Sequence, residues 1–242
     1  MSAAAYAYEG AELQLFAAAQ RWKAYLEAQV RPFLGPTVLE VGAGLGATTQ
    51  ALCRQRHRRW VCLEPDPHLA QEIVARRDEG MIPSWCEVVV GTIETAPSDA
   101  FDSVIYIDVL EHIAADQAEL ELAARRLGNA GHLVVLSPAH PWLYSPFDRA
   151  IGHHRRYTAA SLRALKPSDL SLVRLRYLDS VGALAGALNR LLLRQDLPTA
   201  QQLAFWDRVA IPLSRRVDPI SGYRVGRALL GVWRAADRVR TR

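Results

Sequence analysis

The stretch from Thr37 to Gly46, TVLEVGAGLG, constrains the fold of this chain more than any other. A short apolar run that ends in glycines is typical of a buried parallel β-strand that enters a tight turn. Gly42, Gly44 and Gly46 alternate there, and glycine tolerates the positive φ angles that such a turn needs. A helix-compatible stretch, 47–55, follows directly. Strand, glycine turn and helix in this order predict the nucleotide-binding edge of a doubly wound sheet.

The glycine spacing and one carboxylate bear on which ligand this turn would hold. The dinucleotide fingerprint places its third glycine one residue later than Gly46. Glu40 stands two positions before Gly42, where a negative charge suits an ammonium or a sulfonium better than a pyrophosphate. These two features favour a cationic cofactor over NAD.

Further apolar runs indicate the rest of an α/β fold. Strands are predicted over 60–63, 86–90, 103–107, 132–136 and 172–178, with an antiparallel last strand over 228–233 and helices over 12–30, 68–77, 116–127 and 159–165. Strands that alternate with helices at this interval indicate a parallel sheet. The predicted fold is therefore a Rossmann-like doubly wound α/β sheet, mostly parallel with an antiparallel last strand, plus helical lid insertions.

The chain is predicted to form a single domain of 242 residues. Its expected parts are an N-terminal helical cap (1–34), a cofactor-binding core (35–180), a helical lid (181–225), and a last strand with a tail (226–242). The apolar segments 181–193 and 201–214 are interpreted as the lid over a substrate site. A dimer interface or a membrane contact is the competing interpretation, because Leu191, Leu192, Leu193 and Trp206 could lie exposed.

Composition narrows the setting in which the protein works. No stretch reaches the roughly 18 uninterrupted apolar residues that a membrane span requires, and the N-terminus lacks the pattern of a signal peptide. The three cysteines, Cys53, Cys62 and Cys86, have no metal-ligand spacing. We therefore expect a cytoplasmic protein with reduced, buried thiols and no metal.

Charge is divided unevenly along the chain. The first 121 residues hold 9 Lys or Arg and 18 Asp or Glu, whereas the last 121 hold 20 and 7. Such a division suits an acidic cofactor half and a basic half that faces an anionic substrate or surface. A solvated, arginine-rich surface explains it equally well.

Four motifs, LEVGAGLGATT, CLEPDP, VGTIE and FDSVIYIDVLEHI, resemble those of the class I S-adenosylmethionine-dependent methyltransferases in order and spacing, over roughly residues 35–140. Glu64 also lies 22 residues beyond Gly42, near the offset at which an acidic residue takes ribose hydroxyls. The resemblance implies that Glu40 and the glycine loop cradle the methionine part, that Glu64 takes the ribose, and that Asp108 faces the amino-acid portion. The remaining implied cofactor contacts are Ala43, Thr48, Pro65 and Val109, with Thr92 and Ile93 at the adenine.

The segment from Ser137 to Leu165 resembles a branch of these enzymes with a Gly-His-(His/Tyr)-Arg-Arg-Tyr signature after the fifth strand. It begins at a strand's carboxyl end, where open α/β sheets bind substrate. The predicted substrate-binding residues are Trp142, Tyr144, Asp148, Arg155, Arg156 and Tyr157. An Arg-Arg pair with an Asp could instead be a structural clamp, and the two histidines could only hydrogen-bond the loop.

The expected activity is methyl transfer from S-adenosyl-L-methionine to an O or N atom, less readily C, of a small molecule that is anionic or linked to a sugar or lipid. Histidine suits a general base near neutral pH, and the candidates are His112, His153 and His154. Asp148 could orient one of the loop histidines, and Arg155 or Arg156 could hold an anionic acceptor. The alternatives are a nucleotide-dependent oxidoreductase, or a non-catalytic cofactor- or nucleic-acid-binding protein. No nucleic-acid partner is expected, and the chain is expected to be a monomer or homodimer, with peripheral membrane contact left open.

Overall fold

The computed structural model describes residues 17–192 and 199–237, and its centre is a seven-stranded sheet of order β3-β2-β1-β4-β5-β7-β6. The strands are β1 Thr37–Val41, β2 Arg59–Glu64, β3 Glu87–Val90, β4 Phe101–Ile107, β5 Leu127–Pro138, β6 Leu170–Leu178 and β7 Ala228–Ala235. Strands β1 to β5 pair in parallel, and β7 lies antiparallel between β5 and β6. The predicted fold class is confirmed. Because the strand order reverses between β1 and β4, a crevice opens at their carboxyl ends.

Nine helices flank the sheet in the described part of the chain: α1 Gln20–Val30, α2 Ala47–Leu52, α3 Pro67–Asp78, α4 Asp116–Arg125, α5 Pro146–Ala150, α6 Ala159–Ala164, α7 Ser180–Leu192, α8 Ala200–Phe205 and α9 Ile211–Ile220. A π-helical turn, Trp206–Ala210, joins α8 to α9. Short 3₁₀ turns span Arg31–Phe33, Leu110–His112 and Pro141–Leu143. The first part of the predicted helix over 12–30 falls on residues 12–16, which lie outside the described residues.

The predicted boundary between the helix over 116–127 and the fifth strand was wrong. The helix predicted over 116–127 ends at Arg125, and Leu127 already belongs to β5, where it pairs with Phe101. Leu127 is buried, so packing favours the strand, and Gly128 lies within β5 and does not end the helix.

The core has two apolar layers, one on each face of the sheet. Val38 of β1 packs in one layer with Trp60, and Leu39 packs in the other with Trp233. Burial of consecutive residues in β1 and β2 is expected for parallel strands covered on both faces. The three cysteines are buried and carry free thiols.

The N-terminal helix and the lid are joined directly. The backbone N–H of Trp22 in α1 donates to Asp207 Oδ1 of the lid at 2.9 Å. The Tyr25 hydroxyl donates to Asp218 Oδ2 at 2.7 Å, and the rings of Trp22 and Trp206 lie 5.8 Å apart. Cap and lid therefore cover the carboxyl edge of the sheet as one layer.

Asp179, at the end of β6, attaches the lid to the sheet. Its Oδ1 accepts hydrogen bonds from the Gly182 N–H at 2.9 Å and the Ser214 hydroxyl at 2.8 Å. Its Oδ2 accepts from the Trp206 indole at 2.7 Å. Asp179 has a φ of 65°, a left-handed conformation that non-glycine residues adopt infrequently. One carboxylate thus connects α7, the π-helical turn and α9.

The outer face of the lid is partly apolar. Exposed side chains along it include Phe205, Val209, Leu213, Val217 and Ile220. Trp206, which the competing interpretation of a dimer or membrane surface takes as exposed, is half-buried against Asp179. That interpretation also includes Leu191 and Leu192, whose side chains are not described, and Leu193, which lies outside the described residues. No helix in the described ranges is both long and apolar enough to cross a membrane.

Candidate active site

A cleft of about 240 Å³ lies at the carboxyl ends of β1, β4 and β5, beneath α1 and the lid. The predicted site residues that line it are Gly42, Ala43, Gly44, Thr48, Asp108, His112, Asp148, His153 and Arg156. The structure therefore brings the glycine loop, the end of β4 and the loop after β5 to one place.

The glycine loop forms the floor of this cleft. Gly42 has a φ of +67°, and a Cβ atom there would lie 2.7 Å from Val109 Cγ2, so a side chain is excluded both by conformation and by packing. Val109 thus supports the loop and does not line the cleft. Gly46, also at positive φ, is the residue before α2 and lies outside the lining.

Glu64, at the end of β2, orders the glycine loop. Its Oε2 accepts a hydrogen bond from the Gly44 N–H at 2.7 Å, and its Oε1 accepts from the Asp66 N–H at 3.0 Å. Burial raises the pKa of Glu64 above its ordinary value. Each carboxylate oxygen has two acceptor sites, so Glu64 retains capacity for two further donors.

The structure places Glu40 elsewhere than expected. Its Oε2 accepts from the Thr49 hydroxyl at 2.6 Å and from the Trp60 indole at 2.7 Å. The carboxyl therefore lies beneath the glycine loop and not in the cleft. Burial raises its pKa to about 7. Its polar contacts support α2 and β2, which corrects the expectation that its charge faces a cationic ligand.

Pro65, Thr92 and Ile93 follow β2 and β3 at the same edge of the sheet but do not line the cleft. Ile93 is fully buried in the core. The Thr92 N–H donates to the Thr95 hydroxyl at 3.0 Å in a short turn. Of the pair expected at the adenine, only Thr92 has exposed surface.

Asp108 ends β4 with its carboxyl open to the cleft. Its φ of 55° lies in the left-handed region, and its N–H donates to Leu136 O at 2.9 Å. The surrounding protein raises the pKa of this carboxyl to about 6, although His153 and Arg227 oppose the shift. Backbone strain of this kind is concentrated at functional sites.

The loop after β5 is organised by the buried carboxylate of Asp148. Arg156 donates to both of its oxygens, at 2.8 and 2.9 Å, and His153 Nδ1 lies 2.9 Å from Oδ1. Burial opposes the charge on Asp148, but the hydrogen bonds from His153 and Arg156 outweigh it and hold the pKa well below its usual value. This bidentate pair has the arrangement of the alternative interpretation, in which an arginine and an aspartate form a structural clamp.

The structure does not bring the other predicted loop residues to the cleft. Arg155 pairs with Asp116 at 2.6 Å, and the Tyr157 hydroxyl donates to the same carboxylate at 2.9 Å. The Tyr144 hydroxyl donates to the His153 carbonyl at 2.7 Å. The two remaining predicted residues, Trp142 and His154, have exposed side chains outside the lining.

His112 and His153 meet inside the cleft. Their rings lie 4.5 Å apart in an edge-on arrangement. Burial, together with His153 and His154, lowers the pKa of His112 to about 4. The His112 imidazole is therefore neutral at neutral pH, the form that can accept a proton or bind a metal.

Sequence reasoning missed two charged residues of the cleft. Glu111 is fully buried and lines it, and burial together with Asp108 raises its pKa well above the usual range. The sequence could have indicated Glu111 as a site residue, because it lies in IDVLEHI between Asp108 and His112, which were both predicted to be in the site. Arg227 precedes β7 and also lines the cleft, and no hydrogen bond joins its guanidinium to a described residue. Nothing distinguishes it in sequence from the many other arginines of this half.

Comparison with known proteins bears on what this cleft holds. Residues 12–181 match a family described as a methyltransferase domain. No curated protein matches the sequence.

Solved structures share the fold at low identity. A Galdieria sulphuraria protein assigned as a sarcosine dimethylglycine methyltransferase is 19% identical with a TM-score of 0.59, and the match covers 91% of this chain and 85% of that one. Coclaurine N-methyltransferase bound to N-methylheliamine and SAH is 14% identical with a TM-score of 0.60, covering 87% and 70%. The [4+2]-cyclase SpnF is 14% identical with a TM-score of 0.61, covering 90% and 80%. At these identities the similarity shows the fold alone.

Proposed function

Because the chain belongs to the methyltransferase domain family, and its likeness to the class I enzymes is confirmed, we propose that it transfers a methyl group from S-adenosyl-L-methionine to an O or N atom of a small-molecule acceptor. The observation that carries the proposal is that the glycine loop and Asp108 line one cleft at the carboxyl edge of the sheet. Glu64 lies outside this lining and contacts the loop through the Gly44 N–H. The Gly-His-His-Arg-Arg-Tyr branch stays a prediction.

The residues at this edge fit the cofactor. S-adenosyl-L-methionine supplies an electrophilic methyl group on a cationic sulfur. Gly42 and Gly44 present bare backbone to the cleft, and Glu64, next to the loop, keeps acceptor sites for a vicinal diol. Asp108 offers a carboxylate to the cofactor's positive end. The role expected of Glu40 falls to Asp108.

The position of Arg227 supports the proposal that the acceptor carries an anionic group. The guanidinium of Arg156 is already committed to Asp148, and that of Arg155 to Asp116. The Arg227 guanidinium lines the cleft and lies 5.5 Å from the Trp206 ring, without a hydrogen bond to a described residue. A guanidinium binds a carboxylate or phosphate through two parallel hydrogen bonds. Arg227 therefore replaces Arg155 and Arg156 as the proposed anchor for an acidic substrate.

Proton removal from the acceptor would use an imidazole of the cleft. His112 is held neutral by burial, and His153 is oriented by Asp148 through Nδ1. Either ring could accept the proton of an attacking hydroxyl, or the proton that an ammonium group must lose before its nitrogen can attack. His154 lies outside the lining and is dropped from this role.

Calorimetric titration with S-adenosyl-L-methionine and its demethylated product tests the cofactor site. We expect Glu64→Ala to weaken binding by roughly 10- to 100-fold, since about 1–3 kcal/mol is lost when hydrogen bonds to a charged group are removed. Glu64→Gln keeps an acceptor oxygen and separates loss of the ribose contact from disorder of the loop. Glu72→Ala removes an exposed acid on α3 and is the matched control.

Two outcomes would contradict the proposal. If the wild-type protein binds neither compound, it is not a methyltransferase of this class, and NAD and RNA should be titrated next. If Glu72→Ala weakens binding as much as Glu64→Ala, the assigned site is wrong.

A further inference from the structure

Glu111 is a buried carboxyl group without a hydrogen-bond partner. It is fully inaccessible to solvent, and neither Oε1 nor Oε2 has a partner among the described residues. The neighbouring Ser137 hydroxyl is near enough to oppose the rise in the Glu111 pKa, but it forms no hydrogen bond of standard geometry. Buried carboxylates are normally hydrogen-bonded, paired with a cation or bound to a metal. Glu111 lines the cleft and therefore lacks a partner at the place where a ligand would bind.

Two imidazoles lie close enough to share a ligand with it. One donor atom each of Glu111, His112 and His153 lies within 4.8 Å of the others. His153 Nε2 is 3.8 Å from Glu111 Oε1, which is too long for a hydrogen bond. Two ligands bound at about 2.0–2.2 Å to one tetrahedral ion lie roughly 3.4 Å apart. Rotation of these side chains would shorten the distances between the three donor atoms to those of ligands that share one ion.

The outer partners of His153 have the arrangement of a metal-binding histidine. Its Nδ1 lies 2.9 Å from Asp148 Oδ1, and Arg156 donates to both oxygens of Asp148. A carboxylate that accepts from one ring nitrogen fixes the tautomer and directs the lone pair of the other nitrogen outwards. Here that other nitrogen, Nε2, faces Glu111.

We propose that Glu111, His112 and His153 bind one divalent transition-metal ion, such as Zn²⁺ or Co²⁺, in the cleft. Two imidazoles and one carboxylate suit these ions, whereas Mg²⁺ prefers oxygen ligands and retains its waters. Three protein ligands leave a coordination position open, as in catalytic zinc sites. That position faces the cleft, which the three residues line together.

In the methyl transfer proposed above, on which this step rests, the open position would hold the acceptor's hydroxyl oxygen. Coordination favours loss of the hydroxyl proton to water, as it does for metal-bound water. The oxygen lone pair then forms the O–C bond to the methyl group. The electrons of the C–S bond remain on sulfur, which becomes a neutral thioether. The ion, and not an imidazole, would then activate the acceptor.

Cobalt titration of the untagged, chelator-stripped protein tests the site directly and needs neither cofactor nor substrate. We expect visible absorption bands of four- or five-coordinate Co²⁺ that saturate at one ion per chain, and competition by Zn²⁺. Glu111→Gln and His153→Gln should each weaken binding at least tenfold. His154→Gln, the same change at the adjacent exposed histidine, should leave it unchanged and is the matched control.

The proposal is overturned if wild-type protein gives no such bands, or if all three variants bind Co²⁺ as the wild type does, which would indicate surface histidines. Circular dichroism checks folding, and Glu111→Gln removes an unpaired buried acid without changing side-chain size. Titration of the same stripped sample with S-adenosyl-L-methionine reports on the cofactor site separately, so failure of one proposal is distinguishable from failure of the other.

Discussion

Glu40 lies inside the protein at 2% exposure, between the Thr49 hydroxyl and the Trp60 indole. Burial raises its pKa from 4.5 to about 7. Between these two values the folded chain binds a proton that the unfolded chain releases. The stabilisation from this protonation is complete below pH 4.5 and is lost as the pH rises through 7.

Glu40→Gln should therefore flatten the dependence of stability on pH. Glutamine keeps an oxygen acceptor for Thr49 and Trp60 but carries no charge. Relative to wild type, the variant should gain about 1–3 kcal/mol of unfolding free energy at pH 8 and little at pH 4.5. Urea unfolding at the two pH values measures this difference. An equal gain at both would show that burial of the charge is not the cause, and Glu72→Gln on α3 is the exposed control.

The positions of individual cleft residues were predictable from the sequence where they follow directly from the end of a strand. Gly42 and Asp108 follow β1 and β4 directly, so the sequence positions them at the carboxyl edge. The direction of Glu40 was not predictable, because its orientation depends on Trp60, a partner on the neighbouring strand. Arg227 was not predictable either, since it reaches the cleft only through the antiparallel position of β7.

The attachment of the lid to the sheet depends on a close contact between Gly182, in the first turn of α7, and Asp179. A Cβ atom on Gly182 would lie 1.8 Å from Asp179 Oδ2, so no side chain fits there without moving Asp179. That carboxylate also accepts from Ser214 and Trp206. Disturbing it therefore loosens α7 and α9 together.

Gly182→Ala is expected to destabilise the protein by about 1–3 kcal/mol, the cost of overpacking a well-filled site. Gly186→Ala, one turn later in the same helix, is the matched control. The nearest atom to its Cβ would be Leu143 Cδ2 at 3.8 Å, so a gain of up to about 1 kcal/mol is expected from helix propensity. Thermal melting compares the two, and equal effects would refute the role of the Asp179 contact.

The helices of the lid were predicted from apolar patterning, but their attachment was not. Asp179 is 35 and 39 residues away from Ser214 and Asp218, which lie one turn apart on α9, and it meets them only in the folded chain. The early end of α4 at Arg125 has a similar origin, because pairing with β4 overrides the local helical pattern.

Over the whole molecule, cap, sheet and lid are linked by buried polar contacts. Tyr25 of α1 donates to Asp218 of α9, and Asp218 accepts from the Asp179 N–H at 2.8 Å at the end of β6. This chain of contacts crosses all three parts. Buried hydrogen bonds therefore connect the three segments predicted as cap, core and lid.

We expect the protein to unfold in a single transition, with a melting temperature that rises when S-adenosyl-L-methionine is bound. A ligand at a hundredfold excess over its Kd adds about 2.7 kcal/mol of stability, which raises the melting temperature by roughly 5–10 °C for a chain of this length. Differential scanning calorimetry with S-adenosyl-L-methionine measures it, with NAD as the control. Two separate transitions, of which one responds to the ligand, would show that the lid unfolds independently.

The doubly wound class of sheet, whose strand order reverses between β1 and β4, was predictable from the sequence. Alternating strands and helices are compatible with only a few sheet topologies. The acidic first half and the basic second half of the chain do not define two separate bodies, since Arg156 and Arg227 reach the same cleft as Asp108.

The shared carboxylate of Asp148 has a consequence for how such an enzyme can diversify. Asp148, His153 and Arg156 all belong to the segment 148–156, so their mutual geometry is encoded locally. The segment joins its surroundings partly through main-chain bonds, from His154 N to Glu111 O at 2.8 Å and, at the residue that follows the segment, from Tyr157 N to Pro138 O at 2.9 Å. Main-chain bonds tolerate changes of side chain. Under the proposed function, we therefore expect that grafting this segment from a related chain changes acceptor preference and leaves the proposed cofactor edge unchanged.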